Sequence, residues 1–159
     1  MIFVTVGSMV PFDRLVGAAD AWAEANPDVD VLAQIGNGAA PLHMRWLRRM
    51  DQDSFTETVR GAELVVAHAG MGSVITAGRY GKPIVLLPRL AARAEHNTDH
   101  QVATVNWLRT RPGVYVAARA EDIGARIAEA RAAGPVELPE LETAAPPEFI
   151  ARLREWLRQ

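Results

Sequence analysis

Short apolar runs alternate with stretches of helical periodicity along most of this chain. Residues 2–6 form a β-branched apolar run that stops at Gly7-Ser8, and after Pro11 the residues Phe12, Leu15, Val16, Ala19 and Ala23 recur at helical spacing. This predicts strand, tight loop and helix. Residues 29–35 repeat the strand pattern up to Gly36-Asn37-Gly38, whereas residues 42–50 fit either a strand or a basic helical turn. Ser54 can cap a helix through Arg60. Residues 64–67 then make an apolar strand that runs into His68-Ala69-Gly70-Met71-Gly72-Ser73 and a helix to Tyr80. Gly81-Lys82-Pro83 stops that helix, because proline cannot continue the hydrogen-bond ladder, and residues 84–87 form the next strand.

Beyond a polar loop over residues 89–97, Thr98 reads as the N-cap of a helix that carries Val102, Val105 and Leu108 inward. A short strand over 114–116 and a helix over 121–132 follow. Residues 134–147 are a proline-rich connector, and residues 148–158 an amphipathic helix with Phe149, Leu153, Trp156 and Leu157 as its stripe. Strands alternating with helices predict an α/β fold, a Rossmann-like parallel sheet with helices on both faces. The expected division is a domain over 1–145 and a C-terminal helix over 146–159. Ligands of such folds sit beyond the carboxyl ends of the strands, where Gly7-Ser8 and residues 68–73 and 89–101 all fall.

Composition narrows the functional classes. With 159 residues, 49% of them hydrophobic and 23% charged, the chain suits one domain better than two. A formal charge of -2 offers no global positive field for a nucleic acid, and no nucleic-acid partner is expected. The chain has no cysteine, so thiol chemistry and disulfides are excluded, and a cytoplasmic location is the default. Neither a signal peptide nor an apolar run near the roughly 20 residues of a membrane span is visible.

The chemistry concentrates in three places. Residues 68–73 set two glycines and a hydroxyl where a strand becomes a helix, so unpaired N–H groups and the positive helix end converge on one point suited to an anion. A tight turn with Ser73 as a plain cap is the alternative. Gly7-Ser8 is a second place where backbone can approach a phosphate. Thr98 to Gln101 fits a capping box as well as it fits a ligand site. His96 and His100 lie four apart without a His-Glu-x-x-His pattern, so no metal is expected. A dinucleotide fingerprint fails at Ile75, where its third glycine belongs, and no Gly-x-Ser-x-Gly elbow occurs. Arg89 and Arg93 read as solvated loop charge, with capture of a sugar carboxylate as the alternative.

Taken in order, Val4-Thr5-Val6-Gly7-Ser8, Phe12-Asp13-Arg14-Leu15, residues 68–73, Gly81-Lys82-Pro83 and Asp99-His100-Gln101 resemble the C-terminal-domain family of family 28 glycosyltransferases. The likeness runs from Ile2 to about Leu108. Within the family it is nearest to the small catalytic subunits of two-part UDP-N-acetylglucosaminyltransferases of dolichol-linked chitobiose synthesis and to bacterial two-part exopolysaccharide transferases. The resemblance implies the C-terminal, donor-binding half of a GT-B fold. It also implies a UDP-sugar donor, a lipid-linked acceptor and a membrane-associated partner subunit that would hold the chain at the inner face of the membrane, with no cofactor. It places Gly7, Ser8, Gly70, Met71, Gly72 and Ser73 at the donor diphosphate, and His68, Thr76, Asn97, Asp99, His100 and Gln101 around the donor sugar and ribose. Relatives usually carry Glu where Thr76 stands, so one hydroxyl replaces a carboxylate facing the ribose diol. No general base stands out, and a non-catalytic nucleotide-sugar binding or sensor protein is the alternative.

Overall fold

The computed structural model describes residues 1–8 and 10–134, together with Glu148, Arg152, Glu155 and Trp156, which are helical and exposed. The expected connector, most of the terminal helix and the domain boundary at 145 lie outside the described residues. Six parallel strands form one sheet in the order β3-β2-β1-β4-β5-β6. They are β1 (Ile2–Thr5), β2 (Val31–Gln34), β3 (Arg45–Leu47), β4 (Leu64–His68), β5 (Ile84–Leu87) and β6 (Val114–Val116). The helices are α1 (Asp13–Glu24), α2 (Gln52–Gly61), α3 (Met71–Arg79), α4 (His100–Leu108) and α5 (Ile123–Ala133). The expected Rossmann-like α/β sheet is the one found, and the segment that fitted strand or helix is strand β3.

Strand period puts alternate side chains on opposite faces, and each face is sealed by its own helices. Ile2, Val4, Val31, Ala33, Leu64 and Val66 meet Leu15, Val16 and Ala19 of α1 and Ile123 and Ile127 of α5. On the other face Phe3, Val65, Ala67, Ile84 and Leu86 meet Val59 of α2, Val74 and Ala77 of α3, and Val105 and Leu108 of α4. Burying each larger side chain contributes about 1.5–3 kcal/mol, and that seal holds the strand ends, and hence their loops, in fixed register.

Two helix starts differ from the sequence expectation. Asp51, not Ser54, caps α2, its carboxylate accepting from the Ser54 N–H at 2.8 Å and the Ser54 hydroxyl at 2.9 Å. An aspartate offers two acceptors where a serine offers one hydroxyl, so the earlier residue wins. Helix α4 starts after Asp99 without a side-chain cap; the Thr98 hydroxyl instead meets His100 Nδ1 at 2.7 Å. Val102 is only half-buried there, while Gln101 is buried.

Candidate functional site

From β1 the chain winds outward through β2 to β3, and from β4 it winds the other way through β5 to β6. The gap between the carboxyl ends of β1 and β4 is therefore the switch point of the sheet, where loops diverge and leave a crevice. A cavity of about 820 Å³ opens there, and Gly7, Ser8, His68, Gly70, Gly72 and Ser73 line it.

The first loop leaves β1 at Gly7, whose φ of 76° suits glycine. Its N–H donates to Thr5 Oγ1 at 3.1 Å, and the Thr5 hydroxyl donates to Gln34 Oε1 at 2.8 Å. Gly7 therefore turns its own amide inward and supplies the bend. Ser8 is exposed, and its N–H meets no acceptor among the described residues. The second loop carries the cradle. Gly70 is the N-cap of α3 without a side-chain cap bond, and the N–H groups of Met71, Gly72 and Ser73 find no acceptor among the described residues. Three unsatisfied donors at a helix start, on the positive end of its dipole, are chemically suited to an anion. Met71 is exposed and does not line the cavity; what it can offer an anion is its free N–H in the first turn of α3. Ser73 is buried and lines the cavity, and Thr76 donates its hydroxyl back to Gly72 O at 2.8 Å.

Between these loops stands His68. A Cβ on Gly7 would come within 2.6 Å of its Cε1, and one on Gly70 would overlap its Nε2. Both glycines are required because the imidazole fills the space between the bends. Burial pushes His68 from 6.5 down to about 4, and the charge of Arg89 adds to the fall, with smaller contributions from His96 and His100. The Thr5 main chain pulls the other way, yet Nδ1 is buried and meets no partner in hydrogen-bond geometry. His68 is thus neutral when folded near neutral pH and titrates near its ordinary 6.5 once unfolded. Its contribution to stability is complete above about pH 6.5 and is lost as pH falls toward about 4, at most of order 3 kcal/mol. Urea unfolding between about pH 7.5 and pH 4.5 is expected to show this loss in wild type and less of it in His68→Gln; parallel pH profiles would contradict it.

The third loop brings Arg89, His96, Asn97, His100 and Gln101 to the cavity. Gln101 Oε1 accepts from the Arg89 N–H at 3.1 Å, so the amide is anchored at its oxygen and its NH₂ has no protein acceptor among the described residues. The capping box is not formed, because the Thr98 N–H donates to His96 Nδ1 and the Thr98 hydroxyl meets His100 Nδ1. The imidazoles of His96 and His100 meet edge to face, 4.4 Å between centroids, at the rim. Asp99 stands apart from its expected place at the sugar: its carboxylate accepts from the Ala91 N–H at 2.8 Å and does not line the cavity. Among the described residues, no group of three or more His, Asp and Glu gathers as metal ligands.

Arg89 is the largest departure from expectation. It is 1% exposed rather than solvated, and its guanidinium donates to the carbonyls of Val6, Val10, Pro11 and Glu95. A guanidinium so occupied has no fork left for a sugar carboxylate; Arg93 is exposed. The cavity also draws on residues that the sequence reading passed over. Gln34 lies at the end of β2 with its oxygen held by Thr5, and Met50, Asp51 and Phe55 lie at the start of α2. Gln34 was visible as a buried-strand position occupied by an amide just before Gly36. Among the described residues Asp51 is the only carboxylate in the lining, and both its oxygens are engaged in the α2 cap.

The family model for the glycosyltransferase family 28 C-terminal domain matches residues 1–111. No curated protein matches the chain. Among solved structures, the glycotransferase of kitacinnamycin is 17% identical with a TM-score of 0.58, covering 99% of this chain and 38% of that one. The spinosyn forosaminyltransferase SpnP is 16% identical with a TM-score of 0.64, over 99% of this chain and 44% of that one. This chain thus spans well under half of each of those two. ALG13, solved by NMR in solution, is 19% identical with a TM-score of 0.56, over 99% of this chain and 96% of that one. These likenesses establish the fold, that of the C-terminal half of a GT-B architecture.

Proposed function

Because this chain belongs to the family of the glycosyltransferase family 28 C-terminal domain, we propose that it binds a UDP-sugar and transfers the sugar to a lipid-linked acceptor, in polysaccharide or glycolipid synthesis. The observation that carries this reading is the row of free amides at Met71, Gly72 and Ser73, set at the switch point of the sheet beside Ser8. As the glycosidic bond breaks, negative charge builds on the departing diphosphate. Donors already aimed there stabilise the transition state without reorganising. The Gln101 amide, and on the opposite flank Gln34, present N–H groups to the parts of the donor on either side of the diphosphate. Met50 and Phe55 offer apolar faces suited to a base.

Deprotonation of the acceptor hydroxyl needs a base, and apart from His96 and His100, whose Nδ1 atoms are both engaged by Thr98, this cavity offers none among the described residues. Asp51 is spent on its cap, and an imidazole held near 4 is a poor base at neutral pH. A partner half, membrane-associated and facing the cradle, supplies that group in this reading and keeps the chain at the inner face of the membrane. No helix among the described residues is itself long and apolar enough to cross a membrane. The same missing base, with Thr76 bonded to its own helix, favours a second reading in which the chain only binds nucleotide-sugar.

Two measurements test the proposal. Isothermal titration with UDP, dTDP, ADP and GDP is expected to show the tightest binding for UDP, and no binding of any nucleotide would refute it. A radiolabel transfer assay on membranes co-expressing a partner half is expected to show sugar in the lipid fraction. Binding without transfer under every partner would establish the second reading instead.

A further inference from the structure

We propose that Arg89 is the fixed positive charge of this anion site and the strut that sets its first loop, acting through the backbone rather than by touching the ligand. The proposal rests on the anion-binding reading of the cavity. Its guanidinium sits 4.5 Å from the Phe12 ring centroid and bonds Val10 O and Pro11 O at 2.6 Å and Val6 O at 2.9 Å. It also reaches Glu95 O at 3.3 Å, so one side chain joins the loop after β1 to the loop after β5. Those three loop carbonyls flank Gly7 and Ser8 and are held in place by the bonds they accept. The Ser8 N–H, which meets no acceptor among the described residues, is the donor this loop offers an anion.

The charge is not neutralised locally. Glu95 is the nearby carboxylate, yet both its oxygens are bound by Arg14, at 2.7 Å each, and by the Leu90 N–H at 2.9 Å. Arg14 and Glu95, half-buried, and Arg89, buried, therefore form a cluster with one positive charge in excess, and Arg89 lines the cavity. In a partly dry crevice such a charge is weakly screened and favours a diphosphate. The charge of Arg89 adds to the burial that lowers the proton affinity of His68, whose ring stands between Gly7 and Gly70. A charge partnered only by carbonyls is costly to bury, and anion binding is what it returns.

The test is titration of the full chain with UDP and with inorganic pyrophosphate, for wild type, Arg89→Lys and Arg89→Met, with the His68 titration followed by NMR. Arg89→Met is expected to weaken both ligands by at least about tenfold and to raise the pH at which His68 titrates. Arg89→Lys is expected to lose less affinity and to keep His68 low, because it keeps the charge and loses only the fork. A role confined to structure would make Lys and Met equally harmful, and that result overturns the proposal, as does a folded Arg89→Met that binds as wild type does. If Arg89→Met does not fold, wild type carries the test: the Arg89 guanidinium resonance must shift when pyrophosphate is added, and an unmoved resonance overturns the assignment. Pyrophosphate binding that Arg89→Met loses, with no UDP binding even by wild type, supports Arg89 and refutes the nucleotide-sugar reading.

Discussion

Gly72→Val is expected to leave the protein folded and to weaken UDP binding by about 100-fold or more. The reason is where the new atoms go. A Cβ on Gly72 meets no protein atom within 4 Å, so nothing in the fold has to move to accept it. Gly72 nonetheless lines the cavity in the first turn of α3, between the amides of Met71 and Ser73. A valine there fills the space that a diphosphate needs in order to come within about 3 Å of those donors, and losing two such charge-assisted bonds at about 1.5–3 kcal/mol each accounts for the magnitude. Thermal unfolding within about 3 °C of wild type, with the UDP isotherm flattened, is the expected pair of results. An unchanged isotherm would place the anion elsewhere.

The opposite pattern is expected at Gly7. Gly7→Ala forces a non-glycine residue to a φ of 76° and drives a methyl group to 2.6 Å from His68 Cε1. Backbone strain of about 1–2 kcal/mol and overpacking of about 1–3 kcal/mol act together. A fall in stability of about 3 kcal/mol by urea unfolding is expected. The second cause can be removed by itself. In a His68→Ala background the methyl group has room, so the cost of Gly7→Ala is expected to shrink to the backbone part, a coupling of at least about 1 kcal/mol in a double-mutant cycle. Strictly additive costs would show that the imidazole does not hold the two bends apart.

Much of this architecture was legible in the chain. The apolar runs of β1, β4 and β5 are bounded by glycine and proline, and the helical period of Leu15, Val16, Ala19 and Ala23 reports a buried face directly. The glycine pair at 70 and 72 and the place of the three loops at the strand ends were visible for the same reason: both are local patterns. What stayed hidden is non-local. The carbonyl partners of Arg89 in the first loop lie 78 to 83 residues away in the sequence, so no window shows that this arginine is buried. The link from Gln34 to Thr5 spans 29 residues. Asp99 reads as a site residue by its position beside His100, but its carboxylate accepts from the Ala91 N–H and does not line the cavity. Ser54 gave way to Asp51 because three plausible caps in four positions differ by less than a turn of helix, and only the bonds decide. Residues 135–147, where the connector was expected, lie outside the described residues.

A single arrangement underlies the account: free main-chain donors at the start of α3, faced by Ser8 across the switch point and backed by a buried guanidinium. The crystal structure of the chain with UDP tests it most directly. Diphosphate oxygens are expected about 3 Å from the N–H groups of Met71, Gly72 and Ser73 and beside Ser8, with Gln34 and Gln101 on opposite flanks of the ligand. A diphosphate bound away from the α3 N-terminus, with those amides still meeting only solvent, would contradict it.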